Sequence, residues 1–232
     1  MIEIRPFPSL GHANHGWLDA HHHFSFADYW NPARQNFGAL RVWNDDHIAA
    51  QSGFPPHPHK DMEIITYVRQ GAITHKDNQG NVGRTAAGDV QVMSAGTGIV
   101  HAEYNVELEA TEIFQIWVEP ARKGLPPRWE NRQFPKASGA GTLQPLASGR
   151  PEHKDAAPII ADATLYAGTL TPGQEMTHVL EPGRRAYIVS ARGRFSVNGQ
   201  VAQARDGVAI SAESQVTLRA IDEAEILLLD LP

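Results

Sequence analysis

The sequence predicts an all-β chain folded as two jelly-roll β-barrels. Three observations carry that prediction: short apolar runs of strand length, a long change of composition between two sets of them, and an internal repeat. Taken along the chain, EIITYV, DVQVMSA and EIFQIWVE fall in the first half, and RAYIVSA and EILLLDL in the second, each bounded by Gly, Asn, Asp or Pro. Between Glu119 and Pro158 the chain turns to Pro, Gly, Ser and Ala with little apolar periodicity, which reads as a long interdomain connection. The division expected is 1–134 for an N-terminal domain and 135–232 for the connection and a C-terminal domain. The halves also repeat. TYVRQGAIT, DNQGN and AAGDVQVMS in the first answer to YIVSARGRFSV, NGQ and ARDGVAIS in the second: strand, glycine, strand, Asn/Gly turn, Gly/Asp turn, strand. Glycine suits the left-handed positions of tight turns, and a repeated unit of this size is what a duplicated jelly roll shows.

Composition narrows the function. A chain of 232 residues that is 41% hydrophobic and 20% charged buries a core easily. A formal net charge of −6 gives no electrostatic ground for nucleic acid or an anionic membrane as the main partner. With no cysteine, disulfides, zinc–thiolate sites and thiol nucleophiles are excluded. MIEIRPFPSLG has no apolar signal core and ILLLDL is too short to span a bilayer, so a cytoplasmic location is expected.

The chemistry concentrates in two stretches. In HPHKDMEIITYVRQG, strand alternation puts His57 and His59, and further along Asp61 and Glu63, on one face. In SAGTGIVHAEYN, His101 and Glu103 share a face in the same way. Two neighbouring strands of one barrel would aim three imidazoles and at least one carboxylate, Glu63 or Glu103, at one interior point. Buried without a counter-charge such a group would cost several kcal/mol, so a divalent cation is the economical explanation. The donors are nitrogen and oxygen, which extends the two-histidine, one-carboxylate logic of non-haem iron. Iron(II) is the first choice, with manganese, nickel, cobalt, copper or zinc as competitors.

Aligning Gly193 with Gly71 puts Val179, Glu181 and Arg185 where the first copy has His57, His59 and Glu63, so the second barrel lacks the ligands. Consecutive residues alternate faces, which argues against the run His21, His22, His23 as a site. The structural reading is taken for His12, His15, His47, His75, His153 and His178. Phe54, Met62 and Met93 are candidates for the wall of a pocket, with ordinary barrel core as the stronger reading.

Together HGWLDAHHHFSFADYWNP, LRVWNDD, HPHKDMEIITYVRQG, MSAGTGIVHAEYN and QIWVEPARKGLPPRWENRQF resemble the pirin family of the cupin superfamily, and in particular its bacterial quercetinase-like members. The resemblance spans roughly the first 134 residues. It implies a bicupin with the metal in the N-terminal barrel, bound by His57, His59, His101 and Glu103, while Glu63 stands where many other cupins place their glutamate. It also implies quercetin 2,3-dioxygenation, in which a flavonol is opened by dioxygen with loss of carbon monoxide and Glu103 takes the proton of the 3-hydroxyl. Two other roles follow from the same resemblance: a redox-responsive regulator that binds a protein partner, and a cupin metalloenzyme with another substrate.

Overall fold

The structure, a computed structural model, describes residues 1–134 and 141–232. Apart from the 3-10 turn Phe7–Ser9, every regular element among the described residues is a β-strand, and the strands pair antiparallel. They form two compact units.

One unit comprises Gly11–Phe134 with Ala157–Asp162. Its larger sheet runs Arg128–Arg132, Val90–Ser94, Glu63–Gln70, Thr111–Val118, Leu40–Ile48, Leu18–His22, Gly11–Asn14. Its smaller sheet runs Ser52–His59, Ile99–Asn105, Ala72–Asp77, Val82–Ala86. The other unit comprises Met1–Leu10, 141–156 and Ala163–Pro232, and its smaller sheet repeats that order with Glu175–Val179, Gln215–Ala220, Phe195–Val197 and Gln200–Ala202. The repeat is thus one of topology as well as of sequence. Gly71 and Gly193 take matching left-handed conformations, with φ of 73° and 75°. An added Cβ on Gly193 would lie 2.1 Å from the carbonyl oxygen of Glu223, so the position requires glycine twice over.

Two expectations need correction. The stretch Glu119–Pro158 is not simply a connection: Arg128–Arg132 pairs with Val90–Ser94, and Gln144–Ser148 with Thr164–Leu170. Arg128–Arg132 borders its sheet with mostly half-buried side chains, and Gln144–Ser148, next to the border strand Ala157–Pro158, is half-buried at its start and buried at its end, so neither shows the alternation that marks a strand in sequence. Residues 135–140 of that stretch lie outside the described residues. The division at 134/135 also differs from the compact units, because Ile2–Arg5 pairs with Gly207–Ser211 and belongs with the C-terminal barrel.

Cross-strand register builds the N-terminal barrel interior in layers. Val42, Trp117, Ile64 and Met93 lie in one row, Asn44, Gln115, Thr66 and Gln91 in the next, and Asp46, Ile113 and Val68 in the third. Successive inward residues on a strand are two apart, so a polar row between apolar ones needs only one polar residue per strand. Ile113 and Val68 continue into a cluster with Leu18, Ala20, Ile48 and Ile73, and Ile64 and Met93 into another with Ala95 and Ile99. The C-terminal barrel is filled by one apolar cluster that includes Phe195, Leu218, Ile226 and Leu228. Among the described residues no helix is long and apolar enough to cross a membrane.

Asp46 breaks the third row. It is 2% exposed, and its Oδ1 has no hydrogen-bond partner. Burial, and then the neighbouring charges of Asp45 and Glu103, push its carboxyl well above the usual carboxylate range. A raised acid keeps a proton in the folded state that the unfolded chain releases, so its contribution is favourable in acid and is lost as pH rises above the unfolded value. Asp46→Asn is accordingly expected to stabilise the barrel by about 1–3 kcal/mol at pH 7. The gain should fade toward pH 4, which urea denaturation followed by tryptophan fluorescence at the two pH values will check.

Candidate metal centre

The strand Ser52–His59 carries three prolines' worth of restriction in FPPHPH only because it borders its sheet, where missing N–H donors are tolerated. Its inner neighbour Ile99–Asn105 pairs His101 directly with His57, and a bulge between His101 and Glu103 then sets Glu103 against Phe54. One ring nitrogen from each of His57, His59 and His101 lies within 4.8 Å of the others. Nε2 of His57 and Nε2 of His101 are 3.0 Å apart, while Nδ1 of His57 faces the carbonyl of Pro55 at 2.7 Å. Nε2 of His59 is buried with no partner.

Two facing nitrogens and a third with nothing to bond to are poorly satisfied by hydrogen bonding alone. A proton shared between His57 and His101 would still leave His59 orphaned. A divalent cation accepts all three lone pairs at once, so the residues present fit the ion. Two of the imidazoles are also ready as neutral ligands. Burial, with the neighbouring His57 next, lowers His59 to about 4, and burial, then His57 and His59, lowers His101 to about 2.

Glu103 does not join that group of three. It is 1% exposed, and both carboxylate oxygens accept hydrogen bonds: Oε1 from Gln91 Nε2 at 2.5 Å and Thr66 Oγ1 at 3.2 Å, Oε2 from Gln115 Nε2 at 2.8 Å. All three donors belong to the polar row described above. Trp117 fixes one of them, since its indole N–H donates to Gln115 Oε1 at 3.1 Å and so turns the Gln115 amide nitrogen toward Glu103. Burial raises the Glu103 carboxyl above the usual range, against the pull of His75 and these hydrogen bonds.

The expected continuation of the His57 face through Asp61 and Glu63 does not occur. Asp61 sits in a turn at φ 47°, its Oδ1 accepting the Gly124 N–H at 2.7 Å, and Glu63 opens a strand of the other sheet. Glu63 Oε2 accepts from Ser94 Oγ at 2.7 Å and from the Ile160 N–H at 2.9 Å. Glu63→Gln is expected to leave the bound metal in place and to cost about 1 kcal/mol of stability, read from metal content and a denaturation curve of the same sample.

Phe54 stands with its ring 6.3 Å from His57 and packs against the Leu18 and Ile48 cluster, while Met93 is core and Met62 borders it. The aromatic ring set against the ligands is instead Trp117, 4.9 Å from His59 at 87°, backed edge-on by Phe26. Elsewhere His12, Asp19 and His21 come together on the hairpin of Gly11–Asn14 and Leu18–His22. There His12 is already bonded to Asp19 at 2.7 Å on an open face. His178 has a structural partner, its Nε2 meeting Asp230 Oδ2 at 2.7 Å. Where the first barrel pairs His57 with His101, the second pairs Val179 with Gln215.

Two antiparallel jelly-roll barrels in one chain, the first holding converging imidazoles on adjacent strands, define a bicupin with one divalent-metal centre. The chain belongs to the pirin family: the pirin family model matches residues 4–118, and a model of the quercetinase C-terminal cupin domain matches residues 146–231. It is 56% identical over 230 residues to a pirin-like protein of Caulobacter vibrioides, covering 99% of each chain. It is 43% identical over 234 residues to the quercetin 2,3-dioxygenase of Escherichia coli K12, covering 100% of this chain and 99% of the other. The crystal structure of the bacterial pirin YhhW from Escherichia coli in complex with nickel(II) superposes with a TM-score of 0.94 at 42% identity, over 100% of this chain and 99% of that one.

Proposed function

We propose that the chain is a metal-dependent quercetin 2,3-dioxygenase of the cytoplasm that opens a flavonol with dioxygen and releases carbon monoxide. His57, His59 and His101 hold the ion, iron(II) in the first instance, and Glu103 completes the set. The observation that carries the reading is the convergence of three imidazoles, with the buried carboxylate of Glu103 on the strand that carries His101. A relative 43% identical over its whole length is named for this reaction, which supplies the substrate class.

The ion, when bound, supplies Lewis-acid activation and open coordination positions. The remaining work falls to the chain. Glu103, raised above its ordinary value by burial, is a stronger base than a surface glutamate and takes the proton of the flavonol 3-hydroxyl. Gln91, Gln115 and Thr66 hold that carboxylate in one place and stabilise its charge. Trp117, against His59, offers a flat apolar face to a flat polyphenol. Carbon–carbon bonds break on both sides of the flavonol C3, which leaves as carbon monoxide, and the remaining halves are joined in a depside with one carbon fewer that has taken up oxygen.

The test is aerobic incubation of metallated protein with quercetin, with carbon monoxide and depside measured together, since loose metal alone can bleach quercetin. Oxygen-dependent carbon monoxide well above a metal-only control is the expected result. None above that control ends the quercetinase reading. The centre would then serve another substrate, or a redox-responsive partner that metal-dependent pull-down would reveal.

A further inference from the structure

The strand Ala72–Asp77 lies against Ile99–Asn105 on the side away from His57, with His75 opposite Glu103 and Asp77 opposite His101. His75 and Asp77 are two apart and share one face. Both side chains are fully buried. Nε2 of His75 is 2.9 Å from Asp77 Oδ2, its Nδ1 is 3.3 Å from Nδ1 of His101, and its ring stacks on Trp129 at 4.6 Å and 8°. Asp77 is itself anchored. Its Oδ1 accepts the backbone N–H groups of Gln79 at 2.9 Å and Asn81 at 3.0 Å, and Oδ2 also accepts from Asn81 Nδ2 at 2.9 Å.

With His75 neutral, these contacts set where the protons lie. A carboxylate only accepts, so His75 donates to it through Nε2–H. A neutral imidazole with its proton on Nε2 has a lone pair on Nδ1, and that lone pair faces Nδ1 of His101. The contact is favourable only if His101 carries its proton on Nδ1, which leaves the Nε2 lone pair of His101 free, 3.0 Å from Nε2 of His57. His57 reaches the same tautomer by a shorter route, through the Pro55 carbonyl.

We infer that His75 and Asp77 are positioning residues of the metal centre: a buried chain from Asp77 through His75 fixes the tautomer of His101, so that only its Nε2 lone pair is presented to the ion. The inference rests on the reading of His57, His59 and His101 as ligands. Outer partners of this kind set ligand orientation, and their loss weakens metal affinity about 10- to 100-fold.

Cobalt(II) titration of the purified full chain tests it, with affinity and the visible cobalt absorption as readouts and no turnover needed. The deciding variant is Asp77→Asn, which keeps the shape. Because the Gln79 and Asn81 N–H groups pin the oxygen on one side, its amide N–H₂ takes the place of Oδ2, and the Asn81 side-chain amide turns to present its oxygen to it. His75 must then accept at Nε2 and donate from Nδ1, His101 must accept at Nδ1, and the His101 proton moves to Nε2. At least tenfold weaker cobalt binding and an altered absorption spectrum are expected. His75→Leu should weaken binding similarly, and His75→Asn, whose side-chain oxygen falls near the former Nδ1, should recover most of the loss. Asp77→Asn binding cobalt as tightly as the unaltered protein overturns the inference. So does His75→Asn, folded by circular dichroism, binding no better than His75→Leu. Failure of the unaltered protein to bind cobalt at all would instead remove the metal reading beneath it.

Discussion

Replacing His57 and His59 together by Ala is expected to strip the chain of its divalent ion, from about one equivalent to none after dialysis. Each contributes a ring nitrogen to a group whose atoms lie within 4.8 Å of one another, and His101 and Glu103 left by themselves are a poor chelate. Loss of mere outer partners lowers affinity about 10- to 100-fold, so removal of two inner ligands should exceed about a thousandfold. Stability should respond in the opposite sense to a typical histidine deletion. The half-buried pair of facing nitrogens at 3.0 Å disappears with His57, so the metal-free variant should unfold no more easily than the metal-free parent. The parallel change of His12 and His21 to Ala removes the exposed cluster and should leave the ion in place. Elemental analysis of both variants decides the matter: an equivalent retained by the first and lost by the second would move the centre to the hairpin.

Glu103→Gln is expected to abolish turnover, by about 10²- to 10⁴-fold, the usual contribution of a positioned general base. It should also weaken metal binding. The carboxylate accepts from two amides and a hydroxyl, and a glutamine there sets one N–H₂ group against another in a site with no water-exposed escape. Because burial raises the Glu103 carboxyl, the acid limb of the rate profile should lie above the ordinary glutamate value of 4.5. A variant that keeps both the metal and carbon monoxide release would show that the proton goes elsewhere.

Much of this was legible in the sequence, and for identifiable reasons. The repeat predicted two barrels because turn glycines such as Gly71 and Gly193 are conformational necessities that survive in the text of the chain. His57, His59 and His101 were legible because alternation on a strand converts a spacing of two into a shared face. Asp61 and Glu63 misled for the same reason: spacing continues through a turn, whereas the face does not. His75 and Asp77 carry the same signature in ITHKD, yet one more spaced pair means little until register sets it beside His101. Thr66, Gln91 and Gln115 each look like a single polar interruption in an apolar run. Only pairing across three strands reveals them as one row. The edge strands Ile2–Arg5 and Arg128–Arg132 were hidden because one lies a chain's length from its partner and the other lacks alternation.

The placement of Ile2–Arg5 governs the order in which the molecule can be finished. Ile2 pairs with Ile210, so a strand made early waits for one made more than 200 residues later. The metal-binding barrel has all its strands once Arg132 and the short segment Ala157–Asp162 have emerged, whereas the C-terminal barrel must retrieve its border from the opposite end of the chain. Contacts of such sequence separation form slowly. A piece of the protein beginning at Gly141 would carry Gly207–Ser211 with one side bare, a row of unpaired N–H and C=O groups that invites strand addition from other copies. The C-terminal barrel is stitched shut by Ile2–Arg5, and a separately expressed C-terminal half would be an aggregating fragment until a peptide spanning Met1–Leu10 is supplied in trans.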